Sequence, residues 1–494
     1  MRYAIASLRL SLDENGAPYY QQLMTQIQQG IVSGELSVGD KLPSSRFLAG
    51  SLGVSRSTTS RAYDQLIAEG ILTSKEKRGV FVAALPMVRT SLCKRDLPVK
   101  NKSTVSETDV LAFNSGVDAS VFPTKEWAAS MRRSWLKPDL KVLNGSYSTG
   151  YPELKEAIVD YLYRVRGLEC TADQIIVTAG NRDSLMLIQH ALSSLLGSIS
   201  WWLESPTYPP FREIIVSNSE TQVIEINEEG PCLPMNEHGA CVGIVTPNRQ
   251  YPLGVSISVQ RRQQWVQKLQ EESSNWWLVE DDYDNEFVYQ GRSDVPFMQT
   301  ASFYEKARDR VFFVGSFSKV LFRGLRLGFV VAPLSQIELL HKSQNTLGSS
   351  TSLPIQPVVA DFMLQGNFDR HLNRMRRHYR MKRDSLLALL ENELSTWFDW
   401  KKTRGGMHVL IEFKPHVLLD LSIYSNIDLD QHIAHDMLSQ KVYLSALSLH
   451  YDDSSIPRQG FVLGFSGPTQ ETMSHAIKAL RSWFLEHQIR KGNV

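Results

Sequence analysis

The segment GSFSKVLFRGLRLGF sets Lys319 in a loop of small residues just after the apolar run RVFFV, with Arg326 seven positions further on. A lysine at a strand end inside a packed site can lose its proton through desolvation and condense with an aldehyde. Arg326 and the hydroxyls of Ser316 and Ser318 can hold a phosphate, although GxxxxGK is absent and the loop is not a Walker loop. WWLVEDDYDNEF ends another apolar run with Asp281, Asp282 and Tyr283. A carboxylate there can keep a pyridine nitrogen protonated, which makes the ring an electron sink, and the tyrosine can bond a phenolic oxygen. The same acidic turn also suits a metal or simple solvation. VTAGNRDSL places the backbone N–H groups of Gly180, Asn181 and Arg182 where a strand gives way to a helix, a ready anion site. ESPTYPP offers Tyr208, a ring able to stack on a planar cofactor, and VTPNRQYPLG offers Asn248 and Arg249.

Bringing five distant segments together requires a particular kind of scaffold. QIIVTAG, VGIVTPN, WWLVEDD and RVFFVGS read as buried strands, with helical patterns such as YPELKEAIVDYLYRVRG and RRQQWVQKLQEE between them. Strand–helix alternation predicts right-handed crossovers and a mainly parallel α/β sheet covered by helices on both faces. In such sheets ligands sit at the carboxyl ends of the strands, where all five segments fall. From about residue 371 the pattern changes to a long charged helix, short strands (GMHVLIEF, GFVLGFS) and a closing helix, which reads as a smaller α+β part.

The chain has 494 residues, 42% hydrophobic and 21% charged, with a net charge of +1. That is ordinary globular composition with enough length for about three compact units. No apolar run reaches the ~18–20 residues of a bilayer span. The opening MRYAIASLRLSL lacks a signal-peptide core, and Cys93, Cys170, Cys232 and Cys241 have no metal-type spacing. The four read as reduced thiols of a cytoplasmic protein. No internal repeat is evident.

The N-terminal part has a different texture. KLPSSRFLAGSLGVSRSTTSRAYDQLIAEGILTSKEKRGVF predicts a helix from about Ser44 that buries Phe47, Leu48 and Leu52, a turn at Gly53, and a second helix capped by Ser55 and running to about Glu69. Ala62, Tyr63, Leu66 and Ile67 form its apolar face; Arg56, Ser57, Ser60, Arg61 and Gln65 lie opposite. Two strands around Lys75, Lys77, Arg78 and Gly79 complete a helix-turn-helix with a basic wing. Between Asp40 and Val82 seven Lys/Arg face four Asp/Glu, so cations are concentrated where phosphate contacts need them. LPSSR, LGVSR, AY, L, EG and the Gly-containing wing resemble the GntR-type winged helix. The resemblance implies contacts to double-stranded operator DNA from Ser45, Arg46, Ser55, Arg56, Ser57, Thr58 and Arg61, with Arg78 and Gly79 in the wing.

From Leu111 onward the chain resembles a fold-type-I aminotransferase dependent on pyridoxal 5'-phosphate. The fusion of both halves resembles the MocR/GabR-type transcriptional regulators. The resemblance implies a GntR-type domain over 1–83, a linker over 84–110, and an aminotransferase-like effector and dimerisation domain over 111–494. It assigns Lys319 to the cofactor's aldehyde, Asp281 to the pyridine nitrogen, Tyr283 to the ring oxygen and Tyr208 to stacking. Asn181, Ser316, Ser318 and Arg326 would serve the phosphate, and Asn248 would be a further cofactor-binding residue. Gly150 and Tyr151, in YSTGYPELKEAIVDYL, would reach the phosphate of the partner subunit in a homodimer. In two places the chain departs from the family pattern. The glutamine-rich phosphate turn is GNRDSL here, and the arginine that grips a ligand carboxylate in the last strand is replaced by Val462.

Three readings compete: a regulator whose aminotransferase-like domain is a sensor, a working aminotransferase that carries a DNA-binding module, and a constitutive DNA-binding protein with a structural second domain. Lys319, Asp281 and Tyr283 argue against the third and Val462 against the second. Without the arginine, either Arg249, Arg212 or Arg323 substitutes, or the ligand is pyridoxal phosphate itself or an amine lacking an α-carboxylate; the retained cofactor features favour pyridoxal phosphate. No metal is expected. HIAH (His432, His435) reads as a solvated helix face without a carboxylate companion, Trp201–Trp202 and Trp276–Trp277 as core, and Arg370–Arg383 as a solvated basic face.

Overall fold

The computed structural model describes residues 10–13, 16–76, 78–84, 111–113, 116–215, 221–234, 239–271, 273–348, 351–420, 428–453 and 455–487. They form two compact units, one within Met1–Ser103 and the other within Thr104–Val494. The expected linker beyond its first residue, Cys93, Lys77 and the opening nine residues lie outside the described set.

In the first unit, α1 (Tyr19–Val32), α2 (Ser45–Leu52) and α3 (Arg56–Ala68) precede an antiparallel pair, β1 (Leu72–Lys75) and β2 (Gly79–Val82). The Ser44 hydroxyl accepts the N–H of Phe47 at 3.2 Å to start α2, and Gly53 closes it at φ 67°, a left-handed value suited to glycine. Ser55 caps α3 in the same way through the N–H of Thr58. Ile27, Leu36, Leu42, Leu48, Tyr63, Leu66, Leu72 and Val82 make the core. Phe47 corrects the sequence reading, since it is exposed. Leu48 and Ala49 set the buried face of α2, and a residue one position earlier falls about 100° around the helix.

The second unit opens with β3 (Leu111–Ala112) and continues with β4 (Ile175–Thr178), β5 (Ile199–Ser205), β6 (Thr221–Asn227), β7 (Gly230–Pro231), β8 (Ala240–Val245), β9 (Trp276–Asp281), β10 (Val311–Ser316) and β11 (Gly328–Val331). Their sheet has the order β4-β11-β10-β9-β8-β5-β6-β7. The contacts β10–β9, β9–β8, β8–β5 and β5–β6 are parallel; β11 runs antiparallel to both its neighbours. Strand alternation feeds two cores, Val311 and Phe313 on one face and Phe312 and Val314 on the other. The four tryptophans of the two pairs are buried in these cores.

Beyond helix Asn367–Glu393 lie β12 (Phe398–Trp400), β13 (His408–Phe413), β14 (Val442–Tyr443), β15 (Ser445–Ala446), β16 (Gly460–Gly464) and the closing helix Gln470–Glu486. A second sheet has the order β12-β13-β16-β15, and β14 pairs with β3. The basic stretch Arg370–Arg383 keeps Arg370, Arg374, Arg377 and Arg380 on the solvated face expected of it, but three of its cations turn inward. Lys382 reaches Asp118 at 2.9 Å, Arg383 lies over the Tyr289 ring at 4.8 Å, and Arg376 donates to the Glu286 carbonyl. Long stems let these cations cover apolar surface while their heads find oxygens. His432 also has a carboxylate neighbour, Asp436 at 3.6 Å one helical turn on, which its sequence reading denied. Among the described residues no helix is long and apolar enough to cross a membrane.

Candidate functional site

The turn that follows β9 separates two adjacent carboxylates. Asp281 accepts the Asn181 side-chain amide at 2.5 Å, while Asp282 is gripped by Arg166 at 2.7 Å and accepts from Asn285. Asp281 is the one whose charge acts on Lys319. Burial, then the neighbouring carboxylates Asp282, Glu204 and Asp284, hold the Asp281 pKa well above the carboxylate range. Glu204 itself is pushed up to about 7 by burial, against hydrogen bonds from Thr246 and Gln250.

Lys319 follows β10 in a loop tightened by the Ser316 hydroxyl, which accepts the N–H of Ser318 at 3.1 Å. Desolvation pushes its pKa down to about 8, against the pull of Asp284 and Asp281 and with a push from Arg323. A pKa near 8 leaves a larger neutral fraction at neutral pH than an exposed lysine has, and the neutral amine is the form that condenses. Arg326, seven residues on, is exposed and holds a left-handed backbone, φ 49°, just before β11. Non-glycine residues adopt this region rarely, and such strain concentrates at functional positions.

Helix Asn181–Leu196 begins at Gly180, whose φ of 110° opens the turn without any atom within 4 Å of where a Cβ would stand. That space lies at the positive helix end, as anion binding requires. Two side chains there face elsewhere than the sequence suggests: the Asn181 amide turns to Asp281, and Arg182 lies outward near Glu213 at 3.6 Å. The backbone N–H groups are therefore the donors left for an anion at this helix end. Gly150 has φ 119°, and a Cβ would stand 2.3 Å from Val177, so only glycine fits this turn; Gln356 accepts the N–H of Tyr151 at 2.8 Å.

The aromatic wall extends beyond Tyr208. Its ring meets Tyr251 edge-on at 5.7 Å, and Tyr251 in turn meets Tyr283 at 5.6 Å and His408 at 5.1 Å. Arg262 orients Asn248 through its side-chain oxygen at 2.9 Å. Buried polar atoms without a hydrogen-bond partner gather in this region: Asn181 Oδ1, Asn248 Nδ2, His408 Nδ1, Tyr283 OH, Arg249 Nε and Nη2, and Asp284 Oδ1. Unsatisfied buried groups gathered at one site mark a place prepared for something that completes them. Sequence reasoning missed Arg166, Glu204, Tyr251, Asp284 and His408. Glu204, Tyr251 and Asp284 fall inside motifs already singled out; Arg166 and His408 lie in stretches read only as a helix and a strand.

In the first unit, Arg46, Ser55, Arg56, Ser57, Arg61, Arg78 and Gly79 are exposed, while Ser45 and Thr58 are partly covered. Ser55 bonds the hydroxyls of Ser57 and Thr58 at 2.7 and 2.8 Å. Arg61 lies over the Tyr20 ring at 4.1 Å. Lys41 and Lys75 both flank Phe81, so Lys41 joins the wing from outside the hairpin.

Residues 19–82 match the gntR family of bacterial regulatory proteins, and residues 109–480 match aminotransferase class I and II. The chain is 31% identical to a probable rhizopine catabolism regulatory protein, MocR, of Rhizobium meliloti, with 96% of each chain covered. It is 30% identical to the pyridoxine biosynthesis transcriptional regulator PdxR of Corynebacterium glutamicum, over 92% of this chain and 93% of that one. Among solved structures it is similar to an α-aminoadipate aminotransferase, LysN, of Thermus thermophilus, with TM-score 0.64, 21% identity, and 76% and 92% of the two chains covered. A kynurenine aminotransferase of Pyrococcus horikoshii gives TM-score 0.65 at 20% identity, covering 77% and 91%. These last two show the fold.

Proposed function

The chain belongs to the MocR-type regulators, in which a GntR-type helix-turn-helix is fused to an aminotransferase class I and II domain, and from that premise we propose that its second domain holds pyridoxal 5'-phosphate and reports its loading to operator DNA. The relatives that match along the chain are regulatory proteins rather than enzymes, which favours a sensor over a working transaminase. The name of the PdxR relative, a regulator of pyridoxine biosynthesis, favours vitamin B6 status as the signal.

The observation that carries the cofactor reading is a buried Asp281, bonded to Asn181, and a desolvated Lys319 at the ends of the neighbouring parallel strands β9 and β10, amid orphaned polar atoms. Bound, the cofactor supplies an aldehyde and a ring nitrogen whose protonated form answers the Asp281 carboxylate. Lys319 meets the aldehyde. Tyr283 serves the ring oxygen, Asn248 is a further cofactor contact, and Tyr208 covers the ring. The N–H groups of Gly180, Asn181 and Arg182, with Ser316, Ser318 and Arg326, hold the phosphate. Tyr151 serves the partner subunit's phosphate in a homodimer. An exposed apolar run along Trp135, Leu136, Leu140 and Leu143 supports that homodimer, because patches of this kind seek a partner surface. Ser45, Arg46, Ser55, Arg56, Ser57, Thr58 and Arg61, with Arg78 and Gly79, contact the operator.

The test is spectroscopic. Purified protein loaded with pyridoxal phosphate is expected to absorb in the visible and to carry a borohydride-fixed label on Lys319. Operator affinity measured with and without loading should differ. A label at another lysine, or identical DNA binding in both states, overturns the reading.

A further inference from the structure

We propose that Lys41 and Lys75 form a two-cation clamp for one phosphate of the DNA backbone, on the outer face of the wing, with Gly79 as the gap that lets them converge. The proposal rests on the DNA-contact reading above and adds to it a phosphodiester site that draws on neither α2 nor α3.

The wing is wider than its hairpin. The N–H of Gly39 donates to the Val82 carbonyl at 3.0 Å, that of Val82 to the Asp40 carbonyl at 3.0 Å, and that of Leu42 to the Val80 carbonyl at 2.9 Å. Lys41 therefore stands opposite Phe81, and β2 becomes the middle of three antiparallel segments. Side chains alternate between faces along such segments. Leu42 and Val82 are buried in the core, so Lys41 and Phe81, one position along each, belong to the outer face. Lys75 is the register partner of Gly79, two residues from Phe81, and shares that face.

The two side chains converge there. Lys41 Nζ lies 5.9 Å and Lys75 Nζ 5.2 Å from the centroid of the Phe81 ring. The Lys41 stem crosses β2 at Gly79, where a Cβ would stand 3.1 Å from Lys41 Cε and 3.8 Å from its Nζ. Gly79 also holds φ 108°, so both its backbone and the crossing stem exclude a side chain. Arg78, just before it, is exposed.

Two ammoniums on one ring repel each other, and the aromatic face offsets only part of that cost. Among the described residues neither lysine forms an ion pair. Asp40, the carboxylate next to Lys41, accepts the N–H of Ser37 at 2.7 Å instead. An anion held between the ammoniums removes the repulsion, and the anion that a DNA-binding unit meets is a backbone phosphate. The location suits it. From Lys41 the chain runs directly into α2, where the Pro43 carbonyl accepts the Tyr63 hydroxyl at 3.0 Å and the Ser45 carbonyl accepts the Thr59 hydroxyl at 2.8 Å. The clamp thus borders the helix starts that carry Arg46 and Arg56.

The experiment measures binding of the full-length protein to a mixed-sequence duplex by fluorescence anisotropy, from about 50 to 200 mM salt. Lys41→Met and Lys75→Met keep the stems over Phe81 and remove only the charges. Each is expected to weaken binding by roughly 3- to 10-fold at the lowest salt, and the double variant should lower the slope of log affinity against log salt by about 0.9, the worth of one phosphate. Lys41→Arg, which keeps the charge, should retain the wild-type slope. A double variant with an unchanged slope overturns the site, and one that loses about 1.8 places the lysines on two separate phosphates and overturns the clamp. Thermal melts of each variant check that the wing is folded, and a Lys41→Arg protein that loses as much as Lys41→Met also counts against the charge. A wild-type protein that binds no duplex even at low salt would instead overturn the DNA-contact reading, a result distinct from a slope the variants leave unchanged.

Discussion

Arg166 holds both oxygens of Asp282, through Nε at 2.7 Å and Nη2 at 2.8 Å, and so removes that carboxylate from the chemistry one residue away. The pair is buried, and a parallel two-bond grip fixes orientation as well as charge. Adjacent aspartates in one turn therefore do different work. Asp282 ties β9 to the segment Leu162–Arg166, while Asp281 is left to accept from Asn181.

Substitution should separate the two. Arg166→Leu, leaving Asp282 buried without its partner, is expected to cost about 3–5 kcal/mol of stability. Asp281→Asn should leave the thermal midpoint nearly unchanged yet weaken cofactor retention by about 1.5–3 kcal/mol, the worth of a hydrogen bond to a charged group. Thermal melts of apo-protein and equilibrium dialysis of pyridoxal phosphate read the two effects.

Cofactor capture should follow the titration of Lys319. Only the neutral amine condenses, and burial lowers the pKa to about 8. The capture rate is therefore expected to rise as pH increases through about 8 and then level off. A solvent-exposed lysine would keep rising toward about 10.4. Stopped-flow absorbance on apo-protein across pH 6–10 gives the profile, and Lys319→Ala should abolish the phase.

In the DNA-binding unit, Arg46→Ala and Arg56→Ala are each expected to weaken operator binding by about 1–3 kcal/mol, the worth of a bidentate base contact. Both side chains are exposed with no structural task, so loading with pyridoxal phosphate should stay unchanged. Fluorescence anisotropy with labelled operator, alongside the absorbance titration, makes the comparison.

Arg61→Ala should behave differently. Its guanidinium lies over Tyr20 of α1, so the substitution removes a packing contact as well as a cation. A stability loss of about 0.5–1 kcal/mol in thermal melts should accompany the weaker DNA binding. Tyr20→Leu, which spares the cation, should reproduce the stability loss.

Much of the molecule is local in origin and therefore readable along the chain. Ser44, Gly53 and Ser55 delimit α2 and α3 through bonds that span three or four residues. Strands β4, β8, β9 and β10 announce themselves as unbroken apolar runs because both their faces are buried. Lys319, Asp281 and Tyr283 stand out for the same reason, as reactive groups at the abrupt ends of those runs.

Tertiary structure alone decided what lies between distant positions. Which of Asp281 and Asp282 is tied up in an ion pair depends on Arg166, more than a hundred residues earlier, and no local pattern encodes that partnership. Where the Arg249 guanidinium sits depends on Asp284 and on a glycine at 406. The burial of Lys382 and Arg383, in a helix whose sequence looks solvent-facing, depends on Asp118 and Tyr289 arriving from elsewhere. A charge is settled by what surrounds it in space, and in this chain the surroundings come from strands and turns that only the fold brings together.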